Sequence, residues 1–302
     1  DVFGSKAFAP WLYVYTKHRG AFVEGWIPDN FFARVVIPNV NGVLRFVPRI
    51  KTFTATVFDS DLIPDVGYVI GGRVYGPDLD PVANSGVRDV LFAHGDEVIV
   101  KRDDSQGGQD VFFVQADVFD LDTLLRDAPN AVIQKRIDHH PLFTELSGAE
   151  GSNLRLITVR LPDGSLEVRV AVMRFGDEGS RIVGSFGGYF AVADPTSGRF
   201  PEGYTALDWR VIDRIPGRTR ALGSGPVPGF AEACSACLAL HARVPHLGVI
   251  GWDVMIDAEA RPWVVEWNAR HPAPFAPEAF LGPLFRGLDW EMLRPIRRTW
   301  LY

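Results

Sequence analysis

Two apolar runs, Val249–Ile256 and Pro262–Asn268, constrain the fold of this chain more than any other stretch. Their β-branched and aromatic content predicts two strands joined by a short turn over residues 257–261. A four-residue loop over 258–261, closed by Asp257 and Pro262, sets Asp253 directly opposite Glu266. Side chains alternate along a strand with a period of two, so Glu266 and Asn268 share a face. Asp253 joins that face across the pair, its Cβ about 5 Å from that of Glu266. Two carboxylates so close repel by about 4 kcal/mol at an effective dielectric of 20. Unless water screens them, a positive group is expected between them. Two carboxylates and an amide oxygen form a hard-oxygen set suited to Mg²⁺ shared with phosphate. The alternative is a solvated hairpin face without chemical consequence. Met255 and Val264, expected on the same face, weigh against a wet surface there.

At 302 residues the chain has room for one elaborate domain or for two to three lobes. A hydrophobic content of 47% with 23% charged residues matches an ordinary soluble globular protein. The net charge of −6 argues against a general nucleic-acid binder. No apolar run approaches the roughly 20 residues that cross a bilayer, and no signal-peptide pattern opens the chain. The first residue is Asp1 rather than Met, which leaves room for a preceding segment. Cys234 and Cys237, the only cysteines, lie in an Ala-rich helical pattern after Pro228-Gly229. With no second pair to complete a zinc site, they read as small core residues, and a reducing, cytoplasmic setting is expected.

A second informative stretch runs from Glu97 to Val114. An apolar strand ends in Lys101, a polar loop carries Ser105, Gly107 and Gly108, and a second strand returns. Glycines let backbone N–H groups approach phosphate oxygens, and a lysine at a strand end adds a point charge. The loop is not a Walker A motif, because no Gly-Lys-Ser/Thr opens a helix; a plain hairpin with a glycine turn is the alternative. Residues 1–95 read as an aromatic-rich lobe with short strands at 34–37 and 68–70. Trp11 and Trp26 either fill its core or stack on a sugar ring. Residues 120–127 predict a short helix, and 131–138 a strand able to offer backbone groups to a nucleotide base. His139 and His140 read as loop residues. Residues 154–160 and Leu166–Phe175 predict antiparallel strands around Pro162-Asp163-Gly164-Ser165. They carry Arg155 and Arg174 in the lobe of the acidic hairpin, where phosphate would need neutralising. A Gly/Pro-rich connector over 212–228 and a helix over 229–243 complete the pattern.

In their order along the chain, Lys101 with its Ser-Gln-Gly-Gly loop, the 134–137 strand and Asp253…Glu266-x-Asn268 resemble the ATP-grasp superfamily. Phe3-Gly4-Ser5-Lys6, Gly25-Trp26-Ile27-Pro28-Asp29-Asn30, Asn153-Leu154-Arg155 and Gly251-Trp252-Asp253 are similar more narrowly to sugar-transfer-associated ATP-grasp proteins, relatives of the α-L-glutamate ligase group. The resemblance implies an α+β fold whose two α+β lobes hold ATP between them. The corresponding divisions are an N-terminal lobe over 1–95, a first ATP-grasp subdomain over 96–137 and a second over 138–302. It implies that Lys101 contacts the ATP phosphates and that Ser105, Gln106, Gly107 and Gly108 fold over them. Gln134, Lys135 and Ile137 would border the adenine, mainly through backbone, while Asp253, Glu266 and Asn268 would hold Mg²⁺. Arg155 and Arg174 resemble arginines that stabilise the transferred phosphoryl group and an acyl phosphate.

The implied activity is an ATP-dependent carboxylate–amine ligase acting on a sugar acid or amino acid in cell-surface polysaccharide synthesis. A small-molecule kinase and a non-catalytic nucleotide-binding scaffold stay open beside it. Three positions depart from the family pattern. Ser185 stands where ligases usually carry Asn, Lys101-Arg102 replaces Lys-Pro, and Gln134 replaces a hinge acid.

Overall fold

The structure, a computed structural model, describes residues 2–103, 111–183, 188–200, 203–206, 208–223 and 225–296. Among these residues the strands form two antiparallel sheets. β1 (Asp65–Ile70), β2 (Arg73–Tyr75), β3 (Glu97–Arg102), β4 (Val111–Gln115) and β5 (Ala131–Lys135) make a five-stranded sheet in the order β2-β1-β5-β3-β4. The second sheet has seven strands: β6 (Ser152–Arg160), β7 (Leu166–Phe175), β8 (Tyr189–Ala193), β9 (Tyr204–Ala206), β10 (Val211–Ile212), β11 (Val249–Ile256) and β12 (Pro262–Asn268). Its order is β10-β9-β8-β7-β6-β11-β12.

Alternation along the strands sorts the seven-stranded sheet into two apolar faces. Leu154 and Leu156 of β6, with Ile250, Trp252 and Val254 of β11, pack with Ala233, Cys237 and Leu240 of the helix Phe230–Ala242. The intervening residues Ile157, Val159, Val249, Val170 and Val172 pack on Phe31, Phe32 and Val36 from the N-terminal helical segment. Arg155, Arg174 and Asp253 alternate onto this second face, beyond the residues that segment covers. One end of the face is therefore core, and the other end opens into a cleft against the five-stranded sheet.

Several sequence expectations meet this structure directly. The helix Leu121–Asp127 is capped by Asp120, whose carboxylate accepts from the Thr123 amide at 2.8 Å. Cys237 is buried and Cys234 packs against the same core, both as free thiols. Residues 34–37, expected as a strand, are helical: a π-helical turn over Phe32–Val36 runs into the helix Ile37–Asn41. Val35, Val36 and Ile37 are all buried, and burial in a helical layer overrides their β propensity. β1 and β2 come from before residue 95 yet belong to the sheet of β3–β5, so that sheet crosses the division drawn there. The cause is long-range pairing: β1 hydrogen-bonds β5, with Tyr68 opposite Val132, a partner that local pattern does not specify.

Asn41 ties the helical segment to the second sheet. Its Oδ1 accepts from the amides of Gly248 at 2.8 Å and Val249 at 3.0 Å. Its Nδ2 donates to the carbonyls of Val249 at 2.8 Å and Ala269 at 2.7 Å. Asn41 is 2% exposed, so truncation strands these backbone groups away from water. Asn41→Ala is expected to lower unfolding stability by about 3 kcal/mol, read as a reduced urea midpoint at unchanged slope.

Candidate active site

Asp253 pairs with Glu266 as expected, but by another route. The turn is one residue longer, because Ile256 rather than Asp257 pairs with Pro262, and Val254 faces Val264. That register alone would set Asp253 opposite Val265. A bulge between Asp253 and Val254 in the pairing leaves Val265 without a partner and restores Asp253 to Glu266. The bulge also breaks the side-chain alternation, so Val264 joins the core while Met255, Val265 and Glu266 line the cleft. This corrects the expectation that Val264 shares the acidic face.

The carbonyl of Val265 meets the five-stranded sheet. Lys101 Nζ donates to it at 3.1 Å and Gln134 Nε2 at 3.3 Å. Gln134 also donates to Asp65 Oδ1 at 2.8 Å, and Asp65 Oδ2 accepts from the Tyr68 hydroxyl at 2.7 Å. Lys101 thus reaches across the cleft, and Gln134 is a clasp between the sheets.

Charged side chains run across four adjacent strands of the second sheet. Glu266 on β12 faces Asp253 on β11, and Asp253 faces Arg155 on β6. Arg174 on β7 stands opposite Asn153, two residues from Arg155. Arg155 donates to both oxygens of Asp253, Nε to Oδ1 at 2.5 Å and Nη2 to Oδ2 at 2.9 Å, and Arg174 Nη1 lies 3.5 Å from Oδ1. Burial works to raise the Asp253 pKa, but Arg155 and Arg174 outweigh it and hold the carboxyl below the usual range. Arg155 and Arg174 thus neutralise Asp253 from strands on the side away from Glu266, and not from between the two acids. Gly251 permits this packing: a Cβ there would sit 2.7 Å from Pro272 Cβ, and the Pro272 carbonyl accepts from Arg155 Nη1 at 2.9 Å. Glu266 accepts no hydrogen bond or ion pair from the described residues, and it is the acid that most offsets the burial of Lys101. Asn268 sits two residues on, opposite Gly251. Among the described residues, no three His, Cys, Asp or Glu side chains converge as a metal cluster.

The cleft holds a cavity of about 320 Å³. Ile99, Phe113, Ile137 and Met255 give it an apolar side, and Lys51, Lys101, Asp253 and Glu266 a charged one. The side-chain oxygen of Asn153, which also lines it, is buried with no partner among the described residues. Burial lowers the Lys101 pKa, opposed by Glu266, Asp65 and Asp253. Of the residues expected around a base, Ile137 lines this cavity. Gln134 lines a smaller one beside it, and the Lys135 ammonium sits 3.6 Å from the centre of the Trp263 ring. His139 lines the cavity and its Nδ1 is 3.1 Å from the Ser152 hydroxyl; burial lowers its pKa to about 4. Ser105, Gln106, Gly107, Gly108 and Ser185 lie outside the described residues. Trp26 is core, its Nε1 donating to the Glu278 carbonyl at 2.7 Å, and Trp11 packs on Phe275.

Sequence reasoning missed two parts of the site. Lys51 is 8% exposed and comes from the N-terminal segment, where no local motif marks it. At the other end Glu97 accepts from Gln115, Arg181 and Arg136, and Arg181 and Arg136 also pair with Glu150. Burial works to raise the Glu97 pKa, but Arg181 and then Arg136 hold it below the usual range. Arg181 lies over the Phe113 ring, its Cζ 3.8 Å from the centroid. A buried acid opening a strand was the one available signal.

Burial raises the Asp65 pKa to about 6, above its unfolded value, against the hydrogen bonds from Gln134 and Tyr68. A raised acid favours folding fully below its unfolded pKa, and the benefit is lost as pH climbs through the folded one. Asp65 should therefore add about 1 kcal/mol of stability between pH 7 and pH 5. Asp65→Asn should flatten that part of the pH–stability curve, measured by urea unfolding.

A family model described as sugar-transfer associated ATP-grasp matches residues 119–277, more than half of the chain. No curated protein matches it significantly in sequence. The chain is similar to solved structures of the ATP-grasp ligase PsnB complexed with minimal precursor (15% identity, 83% of this chain and 64% of that one, TM-score 0.46) and of the D-alanine-D-alanine ligase from Coxiella burnetii (12%, 82% and 56%, 0.45). A third is the L-amino acid ligase from Bacillus licheniformis (15%, 82% and 48%, 0.40). The chain thus spans less than two thirds of the length of each. The family match takes in β5, both site arginines and the acidic hairpin, and the chain belongs to the sugar-transfer associated ATP-grasp family.

Proposed function

We propose that this protein is an ATP-dependent carboxylate–amine ligase working through an acyl phosphate. The observation that carries the reading is the set of charges facing one cavity. Lys51 and Lys101 line it beside Asp253 and Glu266, and Arg155 and Arg174 hold Asp253 from the neighbouring strands β6 and β7. Lysines beside carboxylates suit a polyphosphate that arrives with Mg²⁺, and the apolar side formed by Ile99, Phe113, Ile137 and Met255 suits a purine base. In this reading the two sheets are the two halves of the grasp, with 138–302 carrying the acidic hairpin and the N-terminal segment adding Lys51.

Glu266 and Asn268 would hold Mg²⁺, with Asp253 joining as Arg155 turns toward substrate. Glu266, which no described residue engages by a hydrogen bond, fits such an ion. Bound there, Mg²⁺ supplies neutralising charge to the phosphate oxygens. Lys101 and Lys51 hold the phosphates in line, and Arg155 and Arg174 face the carboxylate and the group transferred to it. A carboxylate oxygen attacks the γ-phosphorus and the bond to the bridging oxygen breaks, releasing ADP. The amine then attacks the acyl carbon and gives up a proton as phosphate departs. No side-chain nucleophile is required, since ATP provides the leaving group. The substrate in this reading is a sugar acid or amino acid joined to a cell-surface polysaccharide; the family description, sugar-transfer associated, supports the link to a sugar only, and ATP use suits the cytoplasm.

Calorimetric titration of ATP with and without Mg²⁺ tests the site. The wild type should bind ATP in a Mg²⁺-dependent manner, and Lys101→Ala should bind about tenfold more weakly, the worth of one charge-assisted hydrogen bond. Glu266→Gln should reduce Mg²⁺-dependent ADP release on the order of a hundredfold with little change in unfolding midpoint. Absence of ATP binding under every condition, or equal loss of folding and turnover in Glu266→Gln, overturns the assignment.

A further inference from the structure

The segment between the N-terminal helices and β1 has an outer surface that the ligase reading does not use. Residues 42–53 form successive 3₁₀ turns, Gly42–Arg49 and Lys51–Phe53. Their inner side is anchored to both sheets. Lys51 lines the cleft, Thr52 donates its amide and hydroxyl to Asp103 at 3.0 and 2.8 Å, and Trp267 Nε1 donates to Thr54 Oγ1 at 3.2 Å. Their outer side carries Val43, Leu44, Phe46, Ile50 and Phe53, all exposed, Val43 at 78% and Ile50 at 50%. At three residues per turn Val43 and Phe46 stack on one ridge, while Pro48 turns inward and is buried. Isolated exposed apolar residues need no account, but five within eleven positions form a patch that does.

The charge of the segment indicates what covers it. Apart from the inward-facing Lys51, residues 30–58 contain Arg34, Arg45 and Arg49 and no Asp or Glu, in a chain of net charge −6. The guanidinium groups of Arg45 and Arg270 sit over the Phe46 ring, with Cζ 4.3 and 5.6 Å from its centroid. Exposed aromatic and aliphatic side chains interleaved with arginine are the composition of an interfacial anchor, whose apolar groups enter the acyl boundary while its cations meet lipid phosphates. A second copy of the chain fits less well, because an isologous contact would bring like charges together.

We infer that residues 43–53, with Arg270, dock on an anionic lipid surface. Docking there would hold the Lys51 end of the cleft against the bilayer, so a lipid-borne acceptor would reach it without leaving the membrane. That last consequence rests on the ligase reading; the docking itself does not.

Sedimentation with vesicles of phosphatidylcholine alone and of an equimolar phosphatidylcholine–phosphatidylglycerol mixture tests the surface. The wild type should pellet with the anionic vesicles at low salt and bind neutral ones about tenfold more weakly. Phe46→Ser with Ile50→Ser, and separately Arg45→Glu with Arg270→Glu, should each lose about tenfold in anionic binding. Both double variants should keep the wild-type urea midpoint, which separates lost docking from lost folding. Equal pelleting with and without vesicles, or anionic binding untouched by both double variants, overturns the inference. So does a dimer in light scattering that Phe46→Ser with Ile50→Ser dissolves, which assigns the patch to a second copy. Loss of ATP binding in calorimetry with vesicle binding intact would overturn only the ligase reading.

Discussion

The carbonyl of Val265, turned out of its ladder by a bulge, is the contact on which the cleft depends. Lys101 and Gln134 both donate to it, and they come from neighbouring strands of the opposite sheet. Without the extra residue the hairpin would keep strict alternation, and Glu266 would lose either its place opposite Asp253 or its place beside the cleft. The bulge thus does two things at once: it sets the register of the acids and provides the acceptor that holds the two sheets in reach of each other. Bulges recur beside active sites because they re-aim a side chain at the cost of one ladder position.

Around this contact the charges are mutually dependent. Asp253 is buried and stays ionised because Arg155 chelates it and Arg174 stands near. Removing one partner of a buried pair costs more than the pair contributes, since the remaining charge is left in a medium that solvates it poorly. Lys101 is in the mirror position, a cation whose burial is offset by Glu266, Asp65 and Asp253. A row of this kind is balanced enough to fold and still sets Asp253 and Glu266 along the cavity with Lys101. The network of Glu97, Arg136, Arg181 and Glu150 closes the far end, joining β3 to the loop after β7.

The acidic hairpin, the strands carrying Arg155 and Arg174, the helix Leu121–Asp127 and the Cys-bearing helix were legible because each follows local periodicity or a turn motif. Lys101 was legible for the same reason, as a lysine ending an apolar strand. Residues 34–37 were misread because their β-branched side chains favour a strand locally, and the burial of Val35, Val36 and Ile37 in a helical layer overrides that preference. Lys51 and the arginine partners of Glu97 were illegible, since none sits in a motif and each acquires its role from elements distant in sequence. Gln134 was read as a base contact mainly through backbone, and nothing local foretold that its side chain spans Asp65 and Val265.

Local pattern was enough to mark an antiparallel α+β chain and a hairpin with Asp253 and Glu266 on adjoining strands, because β-branched content and side-chain alternation act over a few residues. The tertiary structure decided that β1 and β2 join β3–β5, that a longer turn is compensated at Val265, and that Lys51 enters the cleft. Each of these depends on strand pairing or packing between segments far apart in the chain. Such contacts form only when their loop entropy is repaid by burial elsewhere, and so no local window of sequence carries them.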